Sequence, residues 1–183
     1  MCIRDRGCLV LYHICYPFIG RVGRPNPYER YLCTALSYLA ARLSRNATIA
    51  ARQQVTQQFW HEHADRFELV ISPTVISEIR RGNAEAVQRR LNLVSDITRL
   101  PMSDAISNFT QKLLDTGAVP LNAETDATHI AIAAVHNIEY LATWNYKHIA
   151  NVHKHQHIEQ VCRDNGLRPT IICTPAALIE VNV

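Results

Sequence analysis

Charge is scarce in this sequence. Asp, Glu, Lys and Arg make up 19% of its 183 residues and the net charge is +3, so no basic tail is available to bind nucleic acid by charge alone, and any such contact has to be local. Closely paired cysteines are absent as well. The six cysteines, Cys2, Cys8, Cys15, Cys33, Cys162 and Cys173, form no CxxC pair and follow no regular spacing. That argues against a disulfide framework or a structural zinc site and for reduced thiols in a cytoplasmic protein. No P-loop, GxGxxG, HExxH or GxSxG motif occurs, which leaves a small-molecule enzyme of those kinds without a supporting phosphate loop or nucleophile. Internal repeats and low-complexity segments are missing too. Apolar residues are plentiful: at 48% they can fill the core of one domain without staples.

The first segment, MCIRDRGCLVLYHICYPFIGRV, sets arginines before an apolar stretch in the manner of a signal peptide. His13 and Pro17 interrupt that stretch and no A-x-A-like site follows, so neither secretion nor a membrane span is expected. The opening MCIRDR looks like a translated sequencing-adapter remnant. Residues 1–27 are therefore expected to be a non-native or disordered extension, with the folded domain over 28–183.

After the GRPNP turn signal, strand-like runs alternate with helical patterns. Strands are predicted at Tyr31–Cys33, Phe67–Ile71, Asp96–Leu100, Ile138–Thr143 and Thr170–Cys173. Helices are predicted from about Leu36 to Phe67 with a break at Ser44–Asn46, after Ser72-Pro73, over Asn83–Leu93, Ser103–Thr116, Ala123–His136 and Val152–Asn165, and after Thr174-Pro175. Ser or Thr followed by Pro is an N-cap with proline at the first helical position. The alternation implies an α/β fold with a parallel sheet covered by helices on both faces, whose ligands gather beyond the carboxyl ends of the strands.

Three residues are expected at that crest: Glu78 in the second turn after Ser72-Pro73, Asp126 in the first turn of its helix with Glu124 close by, and Asn145 just after the EYLAT strand. Converging carboxylate and amide oxygens are what Mg²⁺ or Mn²⁺ takes, and such a metal serves phosphodiester hydrolysis. Taken singly, Asp and Glu in a helix's first turns only complement its dipole; the joint placement carries the reading. Arg45, Arg52, Arg80, Arg81, Arg89 and Arg90 are either a solvated face or phosphate contacts along an RNA groove. The HKHQH tract at His153–His157 reads as a solvated helix face, His129 as a packed or metal-adjacent residue, and Trp60 and Trp144 as core or hinge residues.

The stretches ISPTVISEI, ETDATHIAIAAVHNIEYLATWNYKHIAN and CRDNGLRPTIICTPAAL, with YLCTALSYLAARLSRNATIAARQQVTQQFW before them, closely resemble the PIN-domain ribonucleases of the VapC toxin type. The resemblance runs over roughly residues 30–178, with separated motifs in the right order. It implies a PIN-like three-layer α/β fold with a central five-stranded parallel sheet, a Mg²⁺- or Mn²⁺-dependent RNA-cleaving site, a cognate antitoxin protein and commonly a homodimer. Glu78 matches the acid of the helix after strand two and Asp126 the acid opening the helix before strand four. Asn145 falls where many relatives carry aspartate and where those with a TWN pattern carry asparagine. Thr34, Glu124 and His148 are expected nearby, in contact with metal-bound water or RNA.

Cys33 departs from the pattern. It stands where the resemblance implies the first-strand aspartate, and the segment after it, Thr34–Ser37, looks one residue short. A thiol is soft, largely protonated at neutral pH and poorly matched to Mg²⁺. Three explanations are open: an attenuated or inactive paralogue, a sequence error, or a thiol used toward a soft metal or redox partner. Two functions follow: a toxin-type endoribonuclease, attenuated by Cys33, or a catalytically inactive PIN-like module that binds an antitoxin-like protein or RNA.

Overall fold

The computed structural model describes residues 30–33, 44–145 and 152–181. The 1–27 extension, Thr34 and His148 lie outside them. Among the described residues the strands are β1 (Arg30–Cys33), β2 (Glu68–Ile71), β3 (Thr98–Arg99), β4 (Tyr140–Ala142) and β5 (Ile171–Cys173). The helices are α1 (Ala47–Glu62), α2 (Pro73–Ile79), α3 (Ala84–Leu93), α4 (Asp104–Asp115), α5 (Glu124–Val135), α6 (Val152–Asp164) and α7 (Pro175–Ile179). None of these helices is long and apolar enough to cross a membrane.

Local chemistry starts several of these helices. Ser72 Oγ accepts the Val75 N–H at the head of α2, and Thr174 Oγ1 accepts the Ala177 N–H at the head of α7, each with proline at the first turn. Asn46 caps α1 and Asn83 caps α3 in the same way.

The strands pair in parallel in the order β3-β2-β1-β4-β5. The expectation of a PIN-like three-layer fold around a central five-stranded sheet is nevertheless corrected. The protein is α/β but helix-rich: its strands are two to four residues long. The β1–β2, β1–β4 and β4–β5 ladders each match three residue pairs and β2–β3 only two, so strand pairing forms a narrow strip between helices rather than a full layer. Breakers flanking the apolar runs explain the shortfall. Asn137, at φ 58°, and the turn it makes delay β4 to Tyr140. Asp96 is exposed before β3, and Pro101, which has no N–H to give to a ladder, follows Leu100.

Successive strand residues point to opposite sides. Val70, Leu141 and Ile172 join Ile106, Phe109 and Leu113 of α4, Ala127, Ile130 and Ala134 of α5, and Ile158 and Val161 of α6 in one core cluster. Ile71, Tyr140, Ala142 and Cys173 join Phe59 of α1, Val75, Ile76 and Ile79 of α2, and Leu178 of α7 in another. Arg66, just before β2, closes that second side by donating from its guanidinium to the carbonyls of Val181 at 2.9 Å and Leu178 at 3.1 Å.

Candidate metal and RNA site

Burial of Val75, Ile76 and Ile79 fixes the rotation of α2 and leaves Glu78 half-buried. On α5, the buried set from Ala127 to Ala134 fixes the helix against α4 and the strands. Asp126 in the first turn is half-buried, and His129, one turn further along the same side, has a side chain only 3% exposed.

Two hydrogen bonds join the elements. Asn145 Nδ2, three residues past the end of β4, donates to Asp126 Oδ2 at 2.8 Å. His129 Nε2 lies 3.2 Å from Glu78 Oε2, bridging α5 to α2. The Asn145 N–H is itself held by Thr143 Oγ1 at 3.0 Å, which shapes the exit from β4. Glu78, Asp126 and Asn145 are therefore tied to one another through α5 at the carboxyl end of the strands. In register, the backbone of Cys33 ends the middle strand β1 opposite Ala142, the last residue of β4 and three residues before Asn145. Glu124 opens α5 and is exposed, engaged through its carbonyl by the Thr128 hydroxyl at 2.9 Å.

Among the described residues, no group of three or more His, Cys, Asp or Glu side chains is arranged to hold a metal ion. The donors that are present still suit a hard cation in kind. Mg²⁺ commonly takes one or two carboxylates and completes its shell with water and substrate phosphate oxygens. Glu78 and Asp126 are the residues that would hold it, with Asn145 orienting the Asp126 carboxylate.

The surroundings differ from the sequence reading in instructive ways. The Trp144 indole N–H donates to Thr56 Oγ1 of α1 at 2.8 Å, and the Arg52 guanidinium carbon lies 5.7 Å from the centre of the Trp144 ring. Arg52 and Thr56 are one turn apart, so α1 grips the residue next to Asn145 by a hydrogen bond and a cation–π contact. Nothing in the sequence marks Thr56; on a helix it reads as filler. His129 did carry a signal, its place three residues after Asp126 at the head of the apolar run at 130–135. Arg90 is not available to an RNA groove: it is buried, with Nε donating to the Ala86 carbonyl at 3.1 Å and a terminal nitrogen to the Arg81 carbonyl at 2.9 Å. Arg89 is paired with Glu85 at 2.6 Å, while Arg45, Arg80 and Arg81 are exposed.

No known family model and no curated protein matches the chain.

Proposed function

We propose that the protein is a metal-dependent endoribonuclease that cleaves RNA phosphodiester bonds, the cytoplasmic toxin of a type II toxin–antitoxin pair, attenuated because Cys33 replaces a first-strand aspartate. The observation that carries the reading is the linkage of Glu78, Asp126 and Asn145 by the His129–Glu78 and Asn145–Asp126 hydrogen bonds at the carboxyl end of the strands. The motif resemblance to VapC-type ribonucleases supports it from the sequence side. A bound Mg²⁺ or Mn²⁺ would supply an activated water and stabilise charge on the phosphodiester. Glu78 and Asp126 would hold the cation, Asn145 would steady the Asp126 carboxylate through its hydrogen bond, and exposed Arg80 and Arg81 would meet RNA phosphates.

The test is cleavage of a structured RNA by purified protein with Mn²⁺. Glu78→Ala and Asp126→Ala should each abolish cleavage, and Cys33→Asp should strengthen both Mn²⁺ binding and turnover. Cleavage that survives both alanine substitutions sinks the site assignment. The position of Cys33 at the end of β1 favours a second reading, a non-cleaving module that binds an antitoxin-like protein or RNA, since a thiol there weakens the donor set. Tight RNA binding without cleavage, unchanged by Cys33→Asp, decides for that reading.

A further inference from the structure

His129 is buried to 3% side-chain exposure, yet its two nitrogens have unequal surroundings. Nε2 meets Glu78 Oε2 at 3.2 Å, whereas Nδ1 is buried without a hydrogen-bond partner among the described residues. A carboxylate only accepts, so the nitrogen that faces it carries the hydrogen. A hydrogen on Nδ1 would be a buried N–H with no acceptor, at the cost of an unmade hydrogen bond. The geometry selects the Nε2–H tautomer: one donor aimed at one carboxylate oxygen.

That donor matters because Glu78 reaches the site from a two-turn helix on a side chain with three rotatable bonds, and is 31% exposed. Without a partner its carboxylate samples several rotamers. His129 stands one turn beyond Asp126 on α5, so its hydrogen bond registers the Glu78 carboxylate against the helix that carries the other acid. It occupies Oε2 and leaves Oε1 for another ligand. Groups that orient a metal-binding side chain in this way are commonly worth about 10–100-fold in metal affinity. We propose that His129 is a positioning residue that fixes the Glu78 carboxylate for binding a divalent cation. The inference rests on the metal-dependent reading above.

The experiment is Mn²⁺ titration followed by electron paramagnetic resonance, on the wild type, His129→Leu, His129→Gln, Glu78→Ala and the double variant His129→Leu/Glu78→Ala. His129→Leu should weaken Mn²⁺ binding about 10–100-fold. His129→Gln, whose amide N–H can reach the same oxygen, should restore most of it, and in the Glu78→Ala background His129→Leu should have no further effect. Long-range proton–nitrogen correlation spectra of the wild type, which need no variant to fold, should show the Nε2–H tautomer. Mn²⁺ binding that falls in Glu78→Ala and is untouched in His129→Leu overturns the positioning role while the metal reading stands. A wild type that binds no Mn²⁺ overturns the metal reading and this role with it. An Nδ1–H tautomer overturns the role on its own.

Discussion

On one side of the strands, α4, α5 and α6 meet Val70, Leu141 and Ile172 through a cluster that is aliphatic apart from Phe109 and the Cys162 thiol. On the other, the elements around Ile71, Tyr140 and Cys173 also bury Gln53, Thr56, Ser72, Thr143 and Thr174, and each of these hydroxyls and the amide has a directed hydrogen bond. The first side contributes mostly burial, which depends on area and not on direction, with Thr110 bonded to the Ile106 carbonyl and α5 carrying buried His129 to Glu78. The second contributes bonds with fixed geometry, and these hold the strand ends and the Trp144-Asn145 segment. Most burial and most directed bonding are thus drawn from different sides of one small molecule, and α5, packed in the first, carries Asp126 and His129 across to the second.

Substitutions can break this division, and the largest effect belongs to the apolar side. Leu113→Ala, at a fully buried position on α4, should lower unfolding free energy by about 2–5 kcal/mol in urea denaturation while leaving Mn²⁺ affinity unchanged. A loss of Mn²⁺ affinity in a still-folded Leu113→Ala protein would merge the two sides. On the same side Cys162 is buried, and burial foremost, with Glu159 adding and Arg163 opposing, pushes its thiol from 9.0 up to about 11. Because the folded state favours the protonated thiol, its stabilisation is complete below pH 9.0 and is lost as pH climbs toward 11. Wild type should therefore lose about 2 kcal/mol more than Cys162→Ala between those limits, as read by urea midpoints at each pH.

The directed side should give smaller stability effects and larger effects on the site. Trp144→Phe removes the N–H that meets Thr56 and should cost about 1 kcal/mol, but it should also weaken Mn²⁺ binding because Asn145 is the next residue. Unchanged Mn²⁺ affinity in this variant would show that α1 does not steady Asn145. The smallest effect is expected at the surface, where Arg89→Ala deletes an exposed pair with Glu85 one turn away. Thermal unfolding should register less than about 0.5 kcal/mol.

What was legible in the sequence follows the same division between near and far. Ser72-Pro73 and Thr174-Pro175 announce helices because a cap acts within three residues, and both helices begin there. Strand length was not legible: the runs at 96–100 and 138–143 look like full strands, but pairing depends on partners far along the chain, and only Thr98–Arg99 and Tyr140–Ala142 form ladders. The positions of Glu78 on the helix after β2, Asp126 in the first turn of α5 and Asn145 just past β4 were legible from strand ends and helix starts. The hydrogen bonds that join them could not, nor could the Thr56–Trp144 contact, which spans 88 residues of sequence. Periodicity says which face a residue occupies and nothing about which distant side chain meets it.

The central place of β1 bears on how the molecule assembles itself. It is the earliest strand among the described residues, yet Leu32 is flanked by Val70 on one side and Leu141 on the other. During synthesis it emerges before β2 and β4 and waits for β4 before both its edges are covered. Closing so long a loop costs entropy before the ladder rewards it, which slows folding far more than it weakens the finished structure. Until then β1 offers an edge of unpaired backbone N–H and C=O groups, and a nascent or partly unfolded chain is open to mispairing at the strand that ends in Cys33.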